Sequence, residues 1–332
     1  MNQRALLAAL LLALGFFAHP LSSPPRPNER VVVLPFANQT GEKSLYWMGE
    51  AFAIGVTDHL LAGGFRVVDA DRRRQAVMEM GLDNDAPISH ASTILLARQL
   101  NAPLALIGEI HLPRDHFLAI TGQLIRINER RIDKPVILRG AINDLYSLQR
   151  DLASALVPGL GLRAPHTLVS PLEALQRVPL SIFELYIKGV TAAEPEQRRI
   201  YLDRALDKDP LYPAALLARA RVSLDEGQSQ KAMEWLDRVQ VDRMAFPERL
   251  WLVRGETVAA NGDRGSAVDL YRKVLEARPL PAAHFHLAAI LAQQGKLMQA
   301  RREVEAGLAD DPRSPTGIEL REALARREES PS

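Results

Sequence analysis

The 332-residue chain contains no cysteine. Disulfides, thiolate metal sites, a cysteine nucleophile and a lipidated cysteine are thereby excluded. Such a chain suits an oxidising compartment. Neither sign of charge dominates, since 41 basic residues stand against 40 acidic ones for a net charge of +1. A nucleic-acid partner calls for a basic surplus to neutralise phosphates, so none is expected. The chain also lacks a Gly-x-x-x-x-Gly-Lys-Ser/Thr phosphate loop, a Gly-x-Gly-x-x-Gly turn and a His-Glu-x-x-His pair. The expectation is a protein that is not an enzyme and holds no cofactor and no metal.

The amino-terminal apolar run is short. Arg4 precedes Ala5–Ala18, 14 residues without a charge, against the roughly 20 that span a bilayer. Pro20 and Ser22-Ser23-Pro24-Pro25-Arg26-Pro27 then break any helix. This is the pattern of a secretory signal, read as residues 1–23 with a linker over 24–29. Phe16-Phe17-Ala18 places a bulky residue where cleavage prefers a small one, and an uncleaved anchor would leave the same body on the same side. A periplasmic or otherwise exported location is expected.

What is present, with 47% hydrophobic and 24% charged residues, is enough apolar surface for a packed core. Residues 30–160 read as a mixed α/β domain. Arg30-Val31-Val32-Val33-Leu34-Pro35-Phe36 is a buried strand, and Asn38 to Gly41 is a turn that uses the Asn-x-Thr sequence for geometry. From Ser44 as a cap, Leu45, Met48, Phe52, Val56 and Leu60 form one apolar helical stripe. Phe65–Asp69 is a short strand. Helices are expected over 72–80 and 90–100, strands over 104–111, 116–127 and 135–141, and a closing helix over 144–156.

The second half repeats itself. Ala232, Ala267 and Ala300 stand 35 and 33 residues apart, each five residues after Gly227, Gly262 or Gly295. Twelve residues ahead of each alanine is another small residue, Ala220, Gly255 or Ala288, and Pro279 and Pro312 close the last two units. A period near 34 with two helical halves is a solenoid unit. Small residues let the two helices approach, and the glycine ends the first helix in a left-handed conformation. Trp251, Gly255, Ala267, Tyr271 and Pro279 closely resemble the tetratricopeptide repeat. The segment from Glu184-Leu185-Tyr186-Ile187-Lys188-Gly189 to Pro210 looks like a first, shorter unit. The reading is a linker over 161–180, repeats over 181–315, and a capping helix with tail over 316–332.

The first half also resembles a known family. Val33-Leu34-Pro35-Phe36-Ala37-Asn38-Gln39-Thr40-Gly41-Glu42 looks like the opening of the TolB amino-terminal-like domain. Gly64-Phe65-Arg66-Val67-Val68 and Ile107-Gly108-Glu109-Ile110 fit its later segments. Related domains sit in Gram-negative envelope proteins and in tails of transmembrane regulators. No winged-helix, cyclase or propeller segment accompanies the domain in this chain.

Single-residue candidates are read conservatively. Asp83-Asn84-Asp85 opens like a calcium loop, but Ile94 stands where a bidentate acid is needed, so a turn is expected. His111, Asp115 and His116 would make only a weak metal site and read as hairpin-tip residues. His284 and His286 point to different helix faces. Arg72-Arg73-Arg74 reads as the solvated start of a helix, the alternative being a patch for anionic lipid or an acidic partner.

The binding surface follows from the tetratricopeptide resemblance, in which the first helix of each unit lines the concave face. That places Leu217, Arg221, Arg249, Leu252, Glu256, Phe285, Ala289 and Gln293 on it. An exposed Leu252–Phe285 patch flanked by Arg221 and Arg249 would suit an amphipathic or extended peptide with acidic residues. The function expected is a protein-interaction scaffold of the envelope with a protein or peptide partner, with an envelope membrane complex as its setting. The alternative is a sensing module whose α/β domain binds a small molecule and whose repeats relay it. The capping helix or the α/β domain would be rival occupants of the concave face.

Overall fold

A computed structural model describes residues 30–82, 88–113, 117–160 and 178–329. The signal run, the 24–29 linker, residues 161–177 of the second linker, Asp83-Asn84-Asp85, Asp115 and His116 lie outside the described residues. A mixed α/β region with one sheet is followed by consecutive helices that form a tetratricopeptide-like solenoid.

The sheet is built on two long strands, β3 (Leu104–His111) and β4 (Leu118–Arg126), which pair antiparallel with Gly108 opposite Gly122. On the outer edge of β3 run β1 (Val31–Val33) and β2 (Ala37–Asn38), both parallel to it. On the outer edge of β4 run β5 (Arg131–Ile132) and β6 (Val136–Gly140), both antiparallel. Pro135 sits just ahead of the edge strand β6, where no ladder donor is needed. The strand expected over Phe65–Asp69 is reduced to a single parallel bridge, Val31 to Val67. The Phe65 amide donates to Leu60 O at 3.0 Å, the Val68 amide donates to Val31 O at 2.9 Å, and Asp69 caps the helix that follows.

One face of the sheet carries α1 (Trp47–Ala62) and α4 (Leu145–Leu160). The other carries α2 (Ala70–Glu79) and α3 (His90–Gln99), whose Val77, Leu96 and Leu100 pack on Val32, Ala105 and Ile125. Asp69 caps α2 by accepting from the Asp71 amide at 2.9 Å, and Ser89 caps α3 by accepting from the Ser92 amide at 3.1 Å. Ser44 is not a cap. It lies in a single 3₁₀ turn, Lys43–Leu45, and α1 starts after Tyr46.

Helix α1 departs most from its sequence pattern. Every residue from Trp47 to Leu60 is buried, Glu50, Thr57, Asp58 and His59 included. A single apolar stripe would bury one face only. This helix is covered on the remaining sides by α4 and by the first solenoid helix, α5 (Leu180–Thr191).

The solenoid pairs α5 with α6 (Pro195–Lys208), α7 (Pro213–Asp225) with α8 (Ser229–Asp237), α9 (Pro247–Ala260) with α10 (Arg264–Ala277), and α11 (Pro281–Gln293) with α12 (Leu297–Asp310). Helix α13 (Pro315–Glu329) packs on α11 and α12. Ala220, Ala232, Ala267, Ala288 and Ala300 are fully buried where paired helices meet. Gly227 ends α7 at φ +72°, with its amide on Leu224 O at 2.9 Å and that of Gln228 on Ser223 O at 2.8 Å. This is the paired hydrogen-bond pattern of a glycine C-terminus. Gly262 and Gly295 repeat it after α9 and α11.

Candidate functional site: the cavity between sheet region and solenoid

Three solenoid helices present their inner faces side by side. On α7 the i, i+4 pair Leu217 and Arg221 shares a face, and on α9 Arg249, Leu252 and Glu256 share the next. With Phe285 of α11, these six side chains line one cavity of about 1100 Å³. The opposite wall belongs to the α/β region, through Glu50 and Asp58 of α1 and Asp69, Asp71 and Arg74 at the start of α2. Ala289 and Gln293, one and two turns further along α11, are not in the lining, and Gln293 is exposed.

The exposed Leu252–Phe285 patch does not form. Phe285 is 5% exposed, because its ring enters a slot made by two glycines. A Cβ at Gly307 or Gly317 would lie 2.4 or 2.7 Å from that ring. The capping helix thus draws Phe285 into the core of the last unit, leaving Leu252 half-buried on its own.

Ion pairs run across the repeats and between the two walls. Arg221 is paired with Glu256, which also meets His286 Nε2 at 3.2 Å, and the His286 ring stacks on Tyr271 at 5.2 Å. These contacts tie α7 to α9 and α9 to α11. Burial raises the Glu256 carboxyl, and Arg221 and His286 more than offset it, so it lies below the usual carboxylate range. Arg249 crosses to the other wall, donating to Asp58 Oδ1 at 2.6 Å, with Asp69 at 3.9 Å and the Phe246 ring beneath its guanidinium.

The arginine triplet of α2 is not a solvated helix start. Arg73 is 2% exposed and grips Glu50 through two hydrogen bonds of 2.8 and 2.6 Å. Arg74 reaches Glu50 at 2.7 Å and also Asp71. Arg72 reaches across to Asp311 at 2.5 Å, and Arg66 pairs with Asp310. The α/β region therefore touches both ends of the solenoid, since Trp47 and Tyr146 pack on Phe183 of α5. From Phe183 an aromatic row continues through Tyr186 to Tyr212. Tyr186 and Tyr212 line the cavity, and among the described residues no hydrogen bond ends on either hydroxyl.

The sequence reading missed Glu50, Asp58, Tyr186, Tyr212 and the role of the triplet. A signal for the first two was present: two acids eight residues apart inside an otherwise apolar helix. Buried acids of that kind need partners, which Arg73 and Arg74 supply for Glu50 and Arg249 supplies for Asp58. Two other histidines pair with acids, His111 with Glu109 at 3.0 Å and His284 of α11 with Glu303 of α12 at 2.7 Å. Among the described residues no group of His, Asp and Glu forms a candidate metal site.

Comparison with known proteins divides along the same line. The tetratricopeptide repeat model matches residues 199–245 and 252–315. No curated protein matches the chain. Among solved structures, the LpoB C-terminal domain from Salmonella enterica is similar at 16% identity, over 42% of this chain and 94% of that one, with a TM-score of 0.28. Lipoprotein GNA1162 from Neisseria meningitidis is similar at 17% identity over 40% and 96%, with a TM-score of 0.29. A PelC dodecamer from Paraburkholderia phytofirmans matches at 19% identity over 41% and 89%, with a TM-score of 0.26. Likeness at this level carries nothing about what the chain does.

Proposed function

We propose that this chain is a non-enzymatic, exported scaffold of the cell envelope that docks a protein or peptide segment on the concave face of its repeats. The observation that carries the reading is the cavity of about 1100 Å³, into which three successive repeat helices turn six side chains. Pockets for drug-sized ligands run to about 1,000 Å³ at the upper end, so this volume favours a peptide segment over a small metabolite. Tetratricopeptide repeats are interaction modules, and their match supports a protein partner. The contacts assigned are Leu217, Arg221, Arg249, Leu252 and Glu256, with Ala289 and Gln293 extending the surface along α11 and Phe285 supporting it from beneath.

Export rests on Arg4 and the uncharged Ala5–Ala18 run. No helix among the described residues is long and apolar enough to cross a membrane. Placement in the envelope rests on the resemblance of residues 30–160 to the TolB amino-terminal-like domain. A second reading, in which the α/β region binds a small molecule and the repeats relay it, is favoured by one feature: both regions wall the same cavity.

The test is photo-crosslinking in cells from an unnatural amino acid at Leu217 or Leu252. A third position, Arg272 on α10, is 60% exposed and outside the cavity and serves as control. A discrete protein adduct from the two cavity positions and none from the control is expected. Adducts from Arg272 alone would remove the concave face as the docking surface.

A further inference from the structure

The cavity already holds carboxylates that belong to the chain itself. Asp58, Asp69 and Asp71 stand on the α/β wall opposite the arginines of α7 and α9. Arg249 binds Asp58 at 2.6 Å and has Asp69 at 3.9 Å. Asp71 is paired with Arg74, yet its side chain is 75% exposed and opens into the cavity. Enclosure by the walls raises the Asp71 carboxyl, and the charges of Arg74, Arg221 and Arg249 more than offset this, leaving it below the usual carboxylate range. The solenoid's basic face is thus already answered by acids from another part of the same molecule.

Those acids do not exhaust it. The lining carries ten arginines and two lysines against eight aspartates and glutamates. The Tyr186 and Tyr212 hydroxyls in the same wall add donors that no described residue uses. Arg278, whose guanidinium lies over Phe246 and meets Glu248 at 3.1 Å, is held below its usual pKa by burial and by Arg249 beside it. Crowded cations of this kind gain from an added carboxylate.

We propose that the cavity takes an acidic peptide segment of a partner protein, and that Asp58, Asp69 and Asp71 are an internal stand-in for that segment. This rests on the docking reading above and adds to it the partner's chemistry and a built-in competitor. With the internal acids seated on Arg249 and near Arg221, the face is self-satisfied. An incoming acidic segment exchanges with them, carboxylate for carboxylate, while the apolar core that joins the two regions stays packed.

The test uses the full chain and two probes, fluorescein-labelled hexaglutamate and hexalysine, read by fluorescence anisotropy at low salt. Hexaglutamate should bind and hexalysine should not, with affinity falling as salt rises. Asp71→Asn removes an exposed competitor without touching the core, and should tighten hexaglutamate binding about fivefold. Arg221→Gln should weaken it about tenfold. No binding of hexaglutamate by either the unaltered chain or Asp71→Asn would overturn the acidic partner. Equal binding by those two would overturn the competition. The docking reading fails separately: crosslinks from Leu217 and Leu252 without hexaglutamate binding would keep the surface and reject its chemistry. A gain in Asp71→Asn with crosslinks from Arg272 alone would keep the anion site and reject the docking.

Discussion

Gly41 stands at φ +78° with open space where a Cβ would be. The cost of any side chain there is therefore backbone strain alone. Its turn is held by Asn38, whose Oδ1 accepts from the Thr40 amide at 2.9 Å and whose Nδ2 donates to Glu42 O at 3.1 Å. Replacing Gly41 with valine should lower stability by about 1–3 kcal/mol, whereas asparagine, which tolerates positive φ, should cost much less. Equal urea midpoints for the two variants would contradict this. Gly255 is the opposite case, since a Cβ there would lie 2.7 Å from the buried Tyr271 ring. Gly255→Ala should cost about 1–3 kcal/mol through overpacking. A chemical denaturation series reads that cost, and a neutral result would mean that α9 and α10 separate freely.

At the scale of the element, α2 is bound to the rest of the molecule by charge as well as by its apolar face. Its Arg73 leaves Glu50 buried and unpaired on that side if removed, so Arg73→Ala should destabilise by about 3–5 kcal/mol. The pH dependence has a definite sign. Burial raises the Glu50 carboxyl, and Arg73 and Arg74 more than offset it, so its folded pKa lies below the ordinary value of 4.5. A carboxyl with a depressed folded pKa stabilises fully above its unfolded value and loses that contribution as pH falls through the folded one. The unaltered chain should therefore lose stability as pH falls below that ordinary value of 4.5, and Glu50→Gln should flatten that part of the curve. An identical slope in both proteins, measured by denaturation at successive pH values, would exclude Glu50 as a source.

For the whole molecule, the core itself predicts cooperativity. One cluster of buried side chains runs without a break from Val31 in the sheet to Val253 in α9, while a second, from Ala267 to Leu324, holds the last units. The α/β region and the first repeats should accordingly unfold together. Substituting Trp235 and Trp251 by phenylalanine leaves Trp47 as the sole indole reporter in the α/β region. Its fluorescence midpoint in urea should coincide with that of far-ultraviolet circular dichroism, which the solenoid helices dominate. A Trp47 transition well ahead of the helical one would show two independent domains. Export is tested at the same scale: an alkaline-phosphatase fusion after residue 30 should be active, and an inactive fusion in the cytosol would refute the signal reading.

What the sequence by itself determined is what near neighbours decide. The 35- and 33-residue spacing of small residues, with a glycine five positions ahead of each alanine, specified the helix pairs and their left-handed ends. Those features act through contacts within one unit, so they are legible at short range. β3 and β4 were legible for the same reason, as long apolar runs close together in the sequence. The inner-face positions of α7 and α9 were also readable from the repeat. Their occupancy was not, because Arg249 meets Asp58 across 191 residues and Arg72 meets Asp311 across 239. Charge along a chain looks the same whether it faces water or a distant acid, and only the docking of one region on the other makes Arg73 a buried residue. The same applies to α1: its pattern promised one covered face, and α4 together with the first solenoid helix supplied the cover for the others.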